Sequence, residues 1–255
     1  MAEKVYTCFR LRAGVLVIEY RYWMPRRLQR DSQQTRKIKN DVRDKVKRCA
    51  INRPLLNRLE AGLGFLGYDA WESVLTFADE PKNYAEVQKK VWSFLRKLKR
   101  WKGRKFDWIY VIECKHGEGR FHVHFCYRYR DFSPEEIRHL WKFGSDEFDE
   151  PVVINDEWFY RLAKYLTKES ADGIKRPVGS HVVSFSKSVQ DVLKKKEQWT
   201  ECSSQIDVPK GSLLVRRPDQ MDCGFAGEFY YKAYVVLDKT FDCQRACARA
   251  RVHNT

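Results

Sequence analysis

Residues 108–125 read WIYVIECKHGEGRFHVHF, and this stretch decides the fold. Side chains alternate in character from Trp108 to Glu113 and again from Phe121 to Phe125, with a period of two residues. Turn-forming residues at 117–119 separate the two alternating segments. Alternation on both sides of a short glycine-rich turn is typical of a β-hairpin, so we predict two antiparallel strands.

The second strand carries His122 and His124, whose side chains must project from one face. If the loop consists of Gly117 and Glu118, Glu113 lies opposite His122 and its carboxylate shares that face. A three-residue loop through Gly119 shifts the register by one residue and, without a bulge, turns Glu113 to the other face. We favour the first register, which brings three potential metal ligands together.

Imidazoles and a carboxylate suit Mn²⁺, and Mg²⁺ is acceptable if water fills the other positions. Zinc is the rival ion, but no Cys or His at a matching short spacing completes a closed four-ligand shell. The alternative for the His pair is structural, since two half-buried strand histidines can make ordinary hydrogen bonds.

Residues 155–169 predict a helix, with Asn155 or Asp156 as the N-cap. Its apolar positions recur with helical spacing and predict a buried stripe; they are Phe159, Leu162, Ala163 and Leu166. Tyr165 and Lys168 are three residues apart and therefore lie next to each other at the edge of this stripe. The alternative for Tyr165 is an amphipathic tyrosine with its ring in the core, and for Lys168 a solvated cation at the helix end.

Three segments together resemble the motifs of a known superfamily, and they occur in its order. They are residues 71–77 (WESVLTF), residues 111–124, and residues 163–168 (AKYLTK). The chain resembles rolling-circle replication initiators of the HUH endonuclease superfamily, of the plasmid and phage type, over about residues 70–190. The tyrosine follows the His pair, as in initiators and small tyrosine transposases, whereas in relaxases it precedes the pair.

The resemblance implies a role for each motif residue. His122 and His124 would be metal ligands with Glu113 as the third, Tyr165 the nucleophile, and Lys168 an assisting group. The implied reaction nicks single-stranded DNA at an origin, leaving a 5′-phosphotyrosine and a free 3′-hydroxyl, and later rejoins the strands. The implied cofactor is a divalent metal, Mg²⁺ or Mn²⁺.

Arg161 occupies the position at which phage initiators with two nucleophilic tyrosines carry the other one. Tyr160 is five residues from Tyr165 and therefore about 140° away around the helix. We expect a single-tyrosine mechanism, in which a second subunit of a homo-oligomer or an activated water performs the other step. No G-x-x-x-x-G-K-[ST] motif occurs, so we expect a host or separate helicase to unwind the duplex.

The chain carries a formal net charge of +15 and has a pI near 9.4, so a polyanion is its natural partner. We expect single-stranded or hairpin origin DNA, and no membrane. Basic residues concentrate between Arg26 and Arg48 and between Lys89 and Lys105. The predicted nucleic-acid contacts are Lys89, Lys90, Arg96, Lys97, Arg100, Arg120, Arg161 and Lys164. Trp101 and Trp141 are candidates for stacking on unpaired bases.

The order of predicted elements favours an α+β fold, a central antiparallel sheet with helices packed against it. We divide the chain into a basic N-terminal extension at 1–68, an HUH endonuclease domain at 69–190 and a C-terminal extension at 191–255. The eight cysteines contain no C-x-x-C pair, and free thiols are favoured over a Cys243–Cys247 metal site. Without a secretory or membrane-spanning segment, we expect a cytoplasmic protein.

Two other functions remain open at this point. A transposase or mobilisation nickase would use the same chemistry, although the long basic region before the His motif argues against the small transposases. A catalytically inert, basic DNA-binding regulator would bind DNA in a salt-dependent manner and never cleave it.

Overall fold

The structure is a computed structural model that describes residues 4–23, 53–115, 120–153, 158–169, 183–216, 221–222 and 228–237. The strands are β1 Tyr6–Ala13, β2 Leu16–Trp23, β3 Ala70–Leu75, β4 Trp108–Lys115, β5 Arg120–Arg128, β6 Asp146–Pro151, β7 Val183–Phe185, β8 Lys196–Glu201, β9 Ser212–Arg216, β10 Met221–Asp222 and β11 Glu228–Val236. The helices are α1 Arg53–Leu66, α2 Tyr84–Lys102, α3 Pro134–Leu140, α4 Trp158–Glu169 and α5 Lys187–Leu193. The predicted α+β class is confirmed.

Five strands form one antiparallel sheet, which we call the histidine sheet, in the order β6-β3-β5-β4-β7. In the β4–β5 hairpin Glu113 pairs with His122 and Val111 with His124. This is the register that places Glu113 on the face of both histidines, so that prediction is confirmed. The loop residues 117–119, on which the prediction depended, lie outside the described residues.

Helix α2 covers the face of the histidine sheet opposite to the histidines. Its buried side chains are Val87, Val91, Phe94, Leu95 and Leu98, as the helical spacing predicted. They pack against a sheet face that includes Tyr110, Ile112 and Phe125. Asn83 caps the helix by accepting a hydrogen bond from the backbone N–H of Glu86, and Gly103 ends it with φ of 70°.

Helices α4 and α1 cover the other face, from which the histidines project. The predicted stripe of α4 is buried, with Phe159 and Ala163 fully enclosed. It packs in one core with Ile109, Val111 and Cys126 of the sheet. The proposed N-caps Asn155 and Asp156 lie outside the described residues.

The two ends of the described chain form a second sheet, which we call the terminal sheet. Its order is β10-β11-β2-β1-β8, and β9 pairs with β11. Residues that the sequence assigned to separate N- and C-terminal extensions are thus neighbours, because β2 pairs directly with β11. The core that lies behind α4 also includes Leu16, Ile18, Tyr231 and Ala233 of the terminal sheet, so the two sheets share it.

Helix α1 joins the two sheets through a close backbone approach at Gly64. A Cβ at this position would lie 2.4 Å from Cβ of Leu16, and the carbonyl of Gly64 accepts a hydrogen bond from the N–H of Val15 at 3.3 Å. Only glycine permits that approach. The β1–β2 hairpin is therefore fixed against α1.

Several boundaries and side chains differ from the sequence expectations. Strand β3 covers residues 70–75 instead of the expected 73–77, because its pairing with β6 begins at Trp71. Trp141 is only 2 % exposed, so its proposed stacking on bases is wrong: its ring fills the core beside Phe94. Trp101 is 56 % exposed, in keeping with its proposed accessibility.

Three further predictions concern segments that are only partly described. The basic block between Arg26 and Arg48 and the cysteines Cys243 and Cys247 lie outside the described residues. Among the described cysteines, Cys8, Cys114, Cys126 and Cys202 are free thiols. No helix within the described ranges is long and apolar enough to cross a membrane.

Candidate active site

His124 lies between two buried glutamates. Its Nε2 atom is 2.7 Å from Oε2 of Glu113, and its Nδ1 atom is 2.8 Å from Oε1 of Glu72 on β3. All three side chains are at most 7 % exposed. With a carboxylate at each ring nitrogen, the imidazole cannot turn without breaking a buried hydrogen bond, so its orientation is fixed.

Opposing effects set the charge of His124. Burial lowers the pKa of the imidazole, but hydrogen bonds to Glu113 and Glu72 and the charges of both carboxylates outweigh it and raise the pKa to about 9. At neutral pH the imidazole is therefore protonated and donates a hydrogen bond from each nitrogen.

A third carboxylate belongs to the same face. Glu150 on β6 pairs in register with Glu72 on β3. Burial raises the pKa of Glu150, the hydrogen bond and charge of Arg161 lower it, and the charge of Glu72 raises it, with a net upward shift. Carboxylates from three strands thus concentrate negative charge on one side of the histidine sheet.

The donor types on this face fit a divalent cation. His122 lies directly opposite Glu113, is half-buried, and projects from the face that holds His124. Two imidazoles and a carboxylate are suitable ligands for Mn²⁺ or Mg²⁺, and the surplus of carboxylates favours a cation. In the described part of the chain, no three His, Cys, Asp or Glu side chains are grouped closely enough to hold a metal ion as they stand. The fit is therefore one of donor chemistry and shared face.

Tyr165 on α4 lies against this cluster. Its ring centroid is 5.9 Å from that of His124, with an interplanar angle of 71°. The side chain remains 47 % exposed although its neighbour Leu166 is 2 % exposed. The buried stripe of α4 thus anchors the helix while Tyr165, at the edge of the stripe, faces both His124 and solvent.

Two other predicted residues lie on the same helix. Arg161 forms an ion pair with Glu150, which links α4 to the edge strand β6. Lys164 is exposed, and its ammonium lies 5.8 Å from the ring centroid of Tyr160. Lys168 belongs to α4, three residues after Tyr165, but its side chain lies outside the described residues.

The predicted nucleic-acid contacts fall into groups on opposite faces of the histidine sheet. Lys89, Arg96 and Arg100 are exposed on α2, away from the histidines, whereas Arg161 and Lys164 lie on α4 beside them. Lys90 and Lys97, also on α2, are half-buried against the ring of Phe143. Arg120 is exposed at the start of β5, two residues before His122. The basic residues thus do not form one continuous surface around Tyr165.

Sequence reasoning missed Glu72 and Glu150 as members of the site. It placed Glu72 only within the motif at 71–77 and did not single out Glu150. The available signal was a lone carboxylate inside the otherwise apolar strand Ala70–Leu75. A buried charge needs a partner, so such a position predicts an ionic or metal contact.

A comparison with protein families matches residues 72–170 to a family of replication-associated proteins, described by the name ORF2. The matched segment runs from Glu72 through the histidine hairpin to the end of α4. Residues 72–170 therefore constitute a replication-associated domain of this family, which is consistent with a rolling-circle replication initiator. Searches of curated proteins and of solved structures found no match.

Proposed function

We propose that this protein initiates rolling-circle replication by nicking one DNA strand at an origin, with Tyr165 as the nucleophile. The observation that carries the proposal is the position of the Tyr165 ring, 5.9 Å from the ring of His124 and half exposed. A nucleophile for a polymer must be accessible from solvent, while the groups that prepare the phosphate must be fixed beside it. Both conditions hold here, within a domain of a replication-associated family.

The reaction is a transesterification. The Tyr165 oxygen forms a bond to phosphorus while the bond from phosphorus to the 3′-oxygen breaks, and that oxygen leaves as a 3′-hydroxyl after gaining a proton. The products are a 5′-phosphotyrosine and a free 3′-end. Since one phosphodiester replaces another, a later attack by a 3′-hydroxyl rejoins DNA and frees Tyr165 without an external energy source.

The residues of the chain divide the work. A phenol with an ordinary pKa of about 10 is a poor nucleophile at neutral pH, so Tyr165 must lose its proton as it attacks. Lys168, on the same helix, is suited to offset negative charge as the phosphate is attacked. Glu72 and Glu113 hold the His124 imidazole in one orientation.

His122, His124 and Glu113 would hold the divalent ion, Mg²⁺ or Mn²⁺, which when bound supplies polarisation of a phosphate oxygen. The surplus of carboxylates on this face supports the assignment, because these carboxylates would otherwise repel a phosphodiester.

Arg161 supports a single-tyrosine mechanism. It is engaged with Glu150, so the position one turn before Tyr165 serves an ion pair between α4 and β6. The closing step then falls to a second subunit or to an activated water, and duplex unwinding to a separate helicase.

The test uses purified protein and a randomised single-stranded DNA library with hairpins, so that the origin need not be known. With Mn²⁺ we expect a covalent protein–DNA band on a denaturing gel, no band with chelator, and enrichment of one sequence in the attached DNA. Tyr165→Phe should abolish the band, and the matched control Tyr160→Phe should retain it.

Other outcomes would change the assignment. A band that persists in Tyr165→Phe and disappears in Tyr160→Phe would make Tyr160 the nucleophile. DNA binding without a band under any metal condition would favour the inert regulator. A band whose enriched DNA comes from the ends of a mobile element, rather than from an origin, would favour the transposase.

A further inference from the structure

A pocket of about 490 Å³ lies at the end of β3, beyond the histidine site. Two aromatic rings, Phe77 and Phe143, and two lysines, Lys90 and Lys142, contribute to its lining together with Asp79. Its volume lies within the range of about 300–1,000 Å³ that is usual for small-molecule sites. None of the residues assigned to the nicking chemistry lines it.

The wall of this pocket is held rigidly. The N–H of Ala78 donates to the carbonyl of Phe143 at 2.9 Å, and the N–H of Thr76 donates to that of Ser145 at 2.8 Å. Gly144 permits this pairing, because a Cβ there would lie 2.4 Å from the carbonyl oxygen of Thr76. The segment after β3 and the segment after α3 thus form one preorganised wall.

The two rings are fixed from behind by a buried residue. The Trp141 ring packs against Phe77 and Phe143 with centroid distances of 5.3 and 5.1 Å, and its Nε1 donates to the carbonyl of Thr76 at 2.8 Å. Phe77 and Phe143 are themselves only half-buried. Part of each ring therefore remains available to a ligand.

Lysine ammonium groups surround these rings. The Nζ atom of Lys90 lies 5.2 Å from the Phe143 centroid and 5.8 Å from that of Phe77, and Nζ of Lys97 lies 5.2 Å from Phe143. Lys90 also lies 3.9 Å from Glu86, and Lys142 is exposed. Aromatic faces beside ammonium groups are the combination that binds a base and its phosphate.

The pocket is continuous with the nicking site along the chain. Glu80, four residues after Thr76, accepts a hydrogen bond from the N–H of Phe121 at 2.6 Å. Phe121 directly precedes His122. The segment 76–80 therefore connects the pocket wall to the metal-side strand, and a single strand that leaves Tyr165 reaches the pocket around this end of the sheet.

We propose that this pocket binds one nucleotide of the single strand next to the scissile phosphate, with the base on Phe143 and Phe77 and the phosphate at Lys90 and Lys142. The proposal rests on the proposed function for the identity of the strand. It adds a binding subsite that fixes the position of the DNA relative to Tyr165.

The test measures equilibrium binding of fluorescein-labelled oligothymidylate by anisotropy in the Tyr165→Phe background, where cleavage does not interfere. Phe143→Leu should weaken binding about fivefold to tenfold because it removes the stacking ring, and Phe143→Tyr should restore it. An oligomer of equal length with abasic units keeps the phosphates and lacks the bases, so its binding should be unchanged by Phe143→Leu. Equal effects on both oligomers, or none on either, would overturn the proposal.

The phosphate contact has its own arm. Lys142→Ala should reduce the salt dependence of log K by about 0.7, the value for one phosphate contact on a single strand. The control Lys210→Ala removes an exposed lysine elsewhere and should leave the salt dependence unchanged. Equal behaviour of the two variants would contradict the phosphate assignment.

The two proposals fail separately. If wild-type protein forms no covalent band but Phe143→Leu selectively weakens thymidylate binding, the nicking function fails and the pocket stands. If the Tyr165 band forms and Phe143→Leu has no selective effect, the pocket proposal fails and the function stands.

Discussion

The carboxylate of Glu72 lies 2.8 Å from Nδ1 of His124, although 52 positions separate the two residues in sequence. This hydrogen bond joins β3 to β5 on the face that also carries Glu113, Glu150 and Tyr165. It fixes the ring orientation of a candidate metal ligand, and Nε2 is thereby directed towards Glu113.

Replacing Glu72 should separate orientation from simple packing. Glu72→Ala leaves a buried ring nitrogen without its partner and should cost about 1–3 kcal/mol of stability. It should also slow covalent adduct formation by about 10- to 100-fold, the usual effect of removing an outer-shell partner of a metal ligand. Glu72→Gln retains an acceptor for Nδ1–H and should recover part of the rate. Urea unfolding and adduct time courses measure the two effects, and equal rates for Ala and Gln would argue against an orienting role.

Removal of Glu113 should affect metal binding more severely than the Gln substitution of Glu72. Glu113 projects from the face of both histidines, so Glu113→Ala removes a direct ligand, whereas Glu72→Gln alters only the support of His124. Titration calorimetry with Mn²⁺ should show binding by wild type and Glu72→Gln, and binding weakened below detection for Glu113→Ala. Wild-type affinity in Glu113→Ala would exclude Glu113 as a ligand.

Cations on the two faces of the histidine sheet should contribute to different properties. Replacing the exposed Lys89, Arg96 and Arg100 of α2 with Gln should lower the salt dependence of single-strand binding by about 0.7 for each phosphate that is no longer neutralised. It should leave the adduct rate at saturating DNA unchanged, because α2 covers the face away from Tyr165. Lys164→Gln, on the Tyr165 helix, should lower that rate. Reversed outcomes would place the reacting strand on the α2 face.

The thiol of Cys126 should report on the closure of α4 over the sheet. Burial, and to a lesser degree the charge of Glu72, raises the pKa of Cys126 well above its ordinary value, and the side chain is 1 % exposed. Iodoacetamide should therefore modify the exposed Cys202 in folded protein and spare Cys126, with both modified in denaturant. Peptide mass spectrometry measures this, and equal labelling of both thiols in folded protein would mean that α4 opens readily.

Gly64→Ala should weaken the junction between the two sheets. The added Cβ would lie 2.4 Å from Cβ of Leu16, and relieving such overpacking costs about 1–3 kcal/mol. For a chain of this size a loss of about 1 kcal/mol lowers Tm by about 2–4 °C. The control Arg58→Ala changes an exposed residue of the same helix and should have a smaller effect in thermal unfolding. An unchanged Tm for Gly64→Ala would mean that β1–β2 can move away from α1.

Local periodicity was sufficient to predict the elements that carry the chemistry. Alternation gave the β4–β5 hairpin and the face shared by Glu113, His122 and His124, because side chains of a strand alternate with a fixed period. Helical spacing gave the buried stripe of α4 and hence the placement of Tyr165 at its edge. Both are properties of neighbouring residues, so they can be read without knowledge of the fold.

The sequence by itself thus determined the α+β class, the hairpin register and the position of the tyrosine on its helix. Only the tertiary structure decided that Glu72 and Glu150 join the site, that the predicted basic contacts divide between two sheet faces, and that the two ends of the described chain form one sheet. The physical reason is that periodicity specifies which way a side chain points on its own element. The partner of each strand depends on which distant segments bury their apolar faces together, and this pairing is not encoded in any local pattern.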